Sequence, residues 1–417
     1  MECYLHIGVE KTGSTSIQQF LYINREVIKE QGYYFAQSVG LKNHWDLAFL
    51  GYSLFKKDSY VLNNFLSNTK EILLHKQKII RRLQIELKGK TKVIFSSELL
   101  QSRLTSKNEL KKLKKILYFL GFKKIYIICY IRNHFDMLIS LYSEAIKWGE
   151  IDTLALCKKN IEYEFGYKKN LSHFYHICDY KNILQLWGSV FGKKQLIVRI
   201  FDKKELYKGN LIKDFANSIN LKWCDKFEIP LVQNKSLDLL GIQLLMRINP
   251  LLPLFIANKS NNLRGDIHLF IQKKFSSDDQ MLKFRPPKKN MYLYLSYFEE
   301  SNEWVRKEFF SHKERLFPKK DLTNYKENYE LKEMKSEYWD KIANFIADLV
   351  SSKNQTIQDN LTQIQNLNQN IKFKEQTIQD NLTQIQNLNQ NIKFKEQTIQ
   401  DNLTQIQNLN QNIKFKE

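Results

Sequence analysis

Short apolar runs alternate with segments of helical period through the first 220 residues of the chain. The runs Cys3 to Ile7, Lys92 to Ser96, Lys124 to Tyr130 and Gln195 to Ile200 are mostly rich in β-branched or aromatic residues, and each ends at a turn or helix signal. They predict strands. Between and after them the apolar spacing predicts helices over about 15–31, 108–120, 135–148 and 211–219. Strands separated by helices pair in parallel through crossovers, and such sheets gather ligands at the carboxyl ends of their strands. The expected fold class is α/β, a parallel sheet flanked by helices. From about residue 231 to 349 the pattern is mostly helical, with a break at Pro286-Pro287. This half is expected to pack onto the sheet and complete one side of the site.

After Lys353 the composition changes abruptly. The block QTIQDNLTQIQNLNQNIKFKE begins at Gln355 and recurs unchanged at Gln376 and Gln397, a period of 21 residues or three heptads. Isoleucine therefore stands at every seventh position from Ile357 to Ile413, while the partner position cycles through Leu361, Asn368 and Glu375. Two readings stay open: a coiled coil whose buried Asn sets register, and a recently duplicated disordered tail. The expected organisation is a domain over 1–353 and a heptad-repeat tail over 354–417. Homo-oligomerisation through the repeats stays open with the coiled coil.

A hydrophobic content of 43% supplies a sizeable core, so the body is not a disordered chain. The formal charge of +21 lies on that body, because each repeat balances Lys372 and Lys374 against Asp359 and Glu375. Such a field favours polyanionic ligands, although a general bias toward Lys, Asn and Ile accounts for it equally well. The five cysteines (Cys3, Cys129, Cys157, Cys178 and Cys224) are scattered without a CxxC pair, which points away from a disulfide framework or a zinc site. No stretch approaches the roughly 18 apolar residues of a membrane span. The start at Met1-Glu2 shows no signal-peptide pattern. A cytoplasmic protein is expected, with peripheral membrane association left open.

The strongest local signal runs from Tyr4 to Gln18, YLHIGVEKTGSTSIQ. A strand enters a loop with two glycines and four hydroxyl residues, then an amphipathic helix. A helix N-terminus offers unsatisfied N–H groups and positive dipole potential to a phosphate. Gly13 lets the backbone come close, and Ser14, Thr15 and Ser16 add hydroxyl donors. Gly8 and Gly13 have the separation of a Walker A loop, but Ser14 stands where that pattern needs lysine, and Lys11 precedes the second glycine instead. The plainer alternative is a hydroxyl-rich helix cap beside a solvated lysine.

The segment LHIGVEKTGSTSIQ resembles the 5′-phosphosulfate-binding loop of sulfotransferases that use 3′-phosphoadenosine 5′-phosphosulfate (PAPS), in particular the bacterial carbohydrate-type branch with LHIG-x-x-KTGTTSIQ. The resemblance implies a P-loop-like sheet, a loop over Lys11, Thr12, Gly13, Ser14, Thr15 and Ser16 around the 5′-phosphate, and Lys11 at the oxygen bridging phosphate and sulfur. A second constellation, Arg132-Asn133-His134-Phe135-Asp136 with Ser140 and Tyr142, resembles the family's 3′-phosphate signature R-N-P-x-D-x-x-x-S-x-Y. His134 replaces the proline, and the spacing from Arg132 to Ser140 is kept. On residue type alone, an arginine at a strand's carboxyl end can fork onto a phosphate; a capped surface helix is the alternative. Arg264-Gly265 is a further phosphate-binding pair by residue type without a place in the resemblance. Other similar segments are Asn43 to Leu47, Phe95 to Leu100, Asp179 to Gly192, Val198 to Phe201 and Ser301-Asn302, so the likeness covers roughly 3–317.

Sulfuryl transfer requires in-line positioning, stabilisation of the leaving phosphate and a base for the acceptor. Lys11 suits the second task. Glu98, just past a strand end where related enzymes carry a histidine or acid, is the first candidate base, and His44 is the second. The plainer alternatives are a helix N-terminal carboxylate for Glu98 and a buried structural histidine for His44. His6, inside a strand, is expected in the core. The resemblance implies PAPS as donor, no metal and a surface-glycan acceptor. Two other classes remain: a nucleotide-dependent kinase, and a non-enzymatic nucleic-acid-binding or scaffold protein assembled by its repeats. The first lacks a Walker lysine, and the second lacks a binding motif.

Overall fold

A computed structural model describes residues 1–56, 58, 60–61, 64, 66, 68–149, 151, 171–230, 236–256, 259–276 and 280–414. Cys157 and the start of the expected helical half at 231–235 lie outside them. The chain divides into two units, Met1–Tyr338 and Trp339–Glu417.

The first unit is built on five parallel strands, β1 (Glu2–Gly8), β2 (Tyr33–Phe35), β3 (Lys92–Ser96), β4 (Lys124–Ile131) and β5 (Leu196–Ile200), in the spatial order β2-β3-β1-β4-β5. From β1 the chain goes to the edge position of β2, returns with β3 to the slot beside β1, and then crosses to the other side for β4 and β5, so a topological switch point falls beside β1. The pairing of β1 with β4 shifts register between His6 and Gly8. That irregularity re-aims the chain as it leaves the sheet.

Helices α1 (Ser14–Ile23), α2 (Arg25–Glu30) and α10 (Leu211–Ser218) cover one face of the sheet. There Ile17, Phe20, Leu21, Phe215 and Ile219 pack with Tyr4, Ile94, Ile128 and Tyr130 from the strands. The helix expected over 15–31 is split at Asn24, whose amide donates to Phe20 O at 2.9 Å and to Glu228 O at 2.8 Å. That side chain competes with the helix ladder and turns the chain.

Among the described residues the sheet-bearing half also carries α3 (Trp45–Gly51), α4 (Thr69–Glu86), α5 (Leu99–Arg103), α6 (Lys107–Phe119), α7 (His134–Lys147), α8 (Leu171–Cys178) and α9 (Tyr180–Phe191). The later part carries α11 (Leu239–Leu251), a two-stranded antiparallel piece (Phe255–Ile256 with Lys259–Ser260), α12 (Ile267–Lys274), α13 (Lys288–Tyr297) and α14 (Glu299–Phe309). Pro287 stands at the N-cap of α13, so the expected Pro-Pro break is a helix start. Among the described residues no helix is long and apolar enough to cross a membrane. Helix α15 runs unbroken from Ser336 to Lys414, 79 residues, and takes in the repeats as far as Lys414.

Candidate active site

The carboxyl ends of β1, β3, β4 and β5 lie along one edge of the sheet, and the residues that follow them form the candidate site. From β1 the chain turns through Gly8 (φ +82°), Lys11 (φ +63°) and Gly13 (φ +82°) before entering α1. Three left-handed residues within six make a tight loop, and the hydroxyl of Thr12 donates to Val9 O at 2.6 Å inside it. A Cβ built on Gly13 would come within 2.3 Å of Leu211 Cδ2 and 3.2 Å of the Phe201 ring, so only glycine fits between loop and α10. Gly13 is the N-cap of α1 and supplies no side-chain cap. The first turn, Ser14, Thr15 and Ser16, thus presents backbone donors and hydroxyls without a competing carboxylate.

Lys11 is fixed at both ends. Its carbonyl accepts from Arg132 Nη1 at 2.9 Å, and its ammonium donates to Glu144 Oε2 at 2.9 Å. Glu144, on α7, also accepts from Trp148 Nε1 at 2.6 Å and lies 3.5 Å from Lys147 Nζ. Burial lowers the Lys147 ammonium below the usual lysine range. The Lys11–Glu144 pair keeps about a fifth of its side-chain surface in solvent.

Arg132 follows β4 directly. Tyr180 bridges its backbone, donating to Arg132 O at 2.7 Å and accepting from its N–H at 3.2 Å, and the guanidinium stacks on Phe201 at 5.4 Å. Burial lowers its pKa, although it stays cationic. Ser140 is buried two turns into α7. His134, where the resembled signature has proline, is buried in the first turn of α7. It bonds Cys178 O at 2.9 Å, meets Asn302 at 3.3 Å and stacks on Phe298 at 4.4 Å. Its burial holds its pKa down to about 4, so the ring serves as a neutral tie between α7 and the helical half.

Glu98 stands at the N-cap of α5 but makes no capping hydrogen bond. Its oxygens instead accept from Gln18 Nε2 and Asn43 Nδ2, each at 2.8 Å. Burial pushes its carboxyl above the usual range, with the charge of Glu10 adding to the effect and the two amide bonds opposing it. The carboxylate lies against the loop: a Cβ on Gly8 would sit 2.8 Å from Glu98 Cβ. Gly8 lets β3's exit approach β1's exit this closely.

His44 is fully buried between Phe35 and Phe95, with its pKa held down to about 3 by burial. Its Nδ1 accepts from the Ser96 N–H and its own N–H donates to Ser96 O, both at 3.1 Å. These bonds clamp the 40–44 turn to the end of β3 and set Asn43 against Glu98. His6 is likewise buried, its Nδ1 2.7 Å from Ser96 Oγ.

The loop, Lys11, Glu98 and Arg132 therefore meet at one edge of the sheet. Arg264 lies elsewhere: buried, it donates to Asn249 Oδ1 at 2.8 Å and to the Leu252 carbonyl, fastening the end of α11. Sequence reasoning passed over Glu144 and gave no role to Gln18 or Tyr180, although both lie in segments it singled out. For Glu144 a signal existed, since Asp136, Ser140 and Glu144 recur every four residues on one face of α7. A cleft of about 460 Å³ opens beside the start of α7, lined in part by Asn133, His134, Phe317, Lys319 and Lys320. Lys11, Glu98 and Arg132 do not line it.

No family model matches the chain. It is 28% identical over 211 residues to an uncharacterized protein of Archaeoglobus fulgidus, a match that covers 49% of this chain and 51% of that one. The chain thus spans about half the length of the curated relative it matches. Among solved structures it is similar to a sulfotransferase from Alicyclobacillus acidocaldarius, with a TM-score of 0.33 and 12% identity over 55% of this chain and 85% of that one.

Proposed function

We propose that this chain is a sulfotransferase that moves a sulfuryl group from PAPS to a hydroxyl or amine of a carbohydrate, a bacterial surface glycan being the acceptor class. The observation that carries the reading is the bond from Arg132 to the Lys11 carbonyl. It joins a loop suited to one phosphate to an arginine suited to a second, separate one. The uncapped first turn of α1 and its three hydroxyls fit a 5′-phosphate, and Arg132 with Ser140 fits the 3′-phosphate. Glu98 accepts the acceptor's proton as the acceptor oxygen or nitrogen bonds to sulfur. Lys11 stabilises the charge left on the bridging oxygen as its bond to sulfur breaks. Glu98 is preferred to His44 as base because it retains some exposure and adjoins the loop, whereas His44 is sealed in the core with one ring nitrogen committed to Ser96.

Calorimetry with 3′-phosphoadenosine 5′-phosphate (PAP), AMP and ATP, with and without EDTA, tests the reading. PAP should bind without magnesium and well ahead of AMP. Arg132→Ala should cut that preference by about 10- to 150-fold, the equivalent of one charge-assisted phosphate contact. Because Arg132 also holds the loop, Ser140→Ala is the companion variant; it should reduce PAP binding and spare AMP. Tight, magnesium-dependent ATP binding with indifference to the 3′-phosphate would point to a kinase and sink the proposal.

The pairing of Lys11 with Glu144 adds a second expectation. An anionic nucleotide must compete with Glu144 for the ammonium. Glu144→Gln should therefore tighten PAP binding by about twofold to fivefold, the scale of a partly exposed ion pair. Weaker binding in this variant would mean that Glu144 orients Lys11 rather than restrains it.

A further inference from the structure

Helix α15 carries an apolar stripe along the repeats. Ile357, Ile364 and Ile371 are 54%, 51% and 53% exposed, Leu361 is 47% exposed, and the stripe recurs through Ile406. Over the 60 or so residues from Gln355 the helix is about 90 Å long. An isolated helix of this Gln/Asn-rich composition gains little from propensity, and helices of this kind draw their stability from packing an apolar face.

Isoleucine every seven residues with Leu361, Asn368 and Glu375 four residues after successive isoleucines is a heptad seam, with isoleucine at d and the cycling residue at a. The polar third of the seam identifies what covers it. A buried Asn needs a polar partner, and that partner must recur every 21 residues to serve Asn368, Asn389 and Asn410 alike. A second copy of this helix supplies it. Orientation follows from the same residues. In a parallel pair a meets a and d meets d, so Asn faces Asn, Ile faces Ile, and Glu375 faces Glu375 at the edge of the seam, where each carboxylate has a Lys374 beside it. In an antiparallel pair a meets d, and every Asn and Glu would face isoleucine. Lys374, one residue before Glu375, flanks the hole that receives the partner's Glu375, and each repeat is neutral, so copies do not repel as wholes.

We infer that copies of this chain associate in parallel through α15, in a register that is set modulo 21 residues. A shift of 7 or 14 residues would set Leu against Asn or Glu. A shift of 21 restores every like-with-like contact and sacrifices only the overlap of one repeat. The aligned pair joins three repeats, and staggered pairs leave a repeat free to engage a further copy. None of this depends on the catalytic reading, since no repeat residue belongs to the candidate site.

Full-length chains with single cysteines on the stripe test the inference by disulfide formation in a glutathione buffer, with sedimentation equilibrium of the wild type alongside. Leu361→Cys should give a 361–361 disulfide at about tenfold the yield of Asn366→Cys, which lies on the outer face of the helix. A mixture of Leu361→Cys and Leu382→Cys proteins should add a minor 361–382 product, the mark of the 21-residue stagger. Ile364→Asp with Ile385→Asp should return the chain to monomer while circular dichroism reports the folded body. A wild type that sediments as monomer, or equal crosslinking at 361 and 366, overturns the association. An oligomer without the 361–361 product overturns its parallel sense, and absence of the 361–382 product overturns the repeating register.

Discussion

Glu98→Gln is expected to lower turnover by roughly 10²- to 10⁴-fold while leaving PAP affinity within about twofold, the usual effect of removing a general base that does not bind the nucleotide. The substitution is nearly isosteric, and the site has a way to accept it. Gln18 and Asn43 both donate to Glu98, and Asn43 Oδ1 is buried without a partner. Turning the Asn43 amide over would therefore satisfy the new side chain. The pH dependence gives a second readout. With the carboxyl raised by burial, activity should fall as pH drops through that raised value and the base becomes protonated. The sign for stability is the opposite. A carboxyl whose folded pKa exceeds its unfolded one contributes stability fully below the unfolded value and loses it as pH rises through the folded value. Glu98→Gln should accordingly be no less heat-stable than the parent at neutral pH. A fully active Glu98→Gln with an inactive but folded His44→Ala would move the base to His44.

Asp214→Ala is expected to cost about 3 kcal/mol of stability, read as a lower urea midpoint at unchanged slope. Asp214 is fully buried on α10 and accepts from Arg199 Nε at 3.0 Å, Tyr130 Oη at 2.7 Å and the Tyr207 N–H at 2.7 Å, with a second Arg199 nitrogen on its other oxygen. Removing the carboxylate strands a buried phenol and an arginine at once. Arg199 keeps a third of its side chain in solvent, which limits the loss. Tyr130→Phe, which removes one bond and leaves the ion pair, should cost about 1 kcal/mol. The two values would coincide only if neither Arg199 nor the Tyr207 N–H bond contributed. Because α10 abuts Gly13 through Leu211, the Asp214 variant should also loosen the loop between β1 and α1.

Much of this architecture can be read from local pattern. The expected strand Lys92 to Ser96 has the observed bounds, and the helix after Arg132 starts one residue before its expected position. Both rest on short-range signals: a β-branched run, and an Asn whose side chain accepts from the N–H two residues on. What pattern hides is set by distant contacts. Asn24 breaks a helix because of Glu228, more than two hundred residues away. Strand β2 has three residues, too few to show alternation. The loop and the arginine are legible as motifs, and Gln18 and Asn43 lie in segments the resemblance covers, yet nothing local shows that these two converge on Glu98 from 80 and 55 residues away. The repeats are helical as far as Lys414, and with only a third of the a positions apolar, local pattern does not choose between a coiled coil and a disordered tail.

The contact between Arg132 and the Lys11 carbonyl has a thermodynamic consequence. Two recognition elements separated by 121 residues share one hydrogen bond, so neither can be tuned alone. A ligand that draws the guanidinium toward itself tugs on the loop's most strained residue, and a ligand that reshapes the loop changes where the guanidinium rests. On the proposed reading, affinities of half-molecules carrying one phosphate each will then fail to sum to that of the whole, and selection acting on one end of the proposed site will be felt at the other.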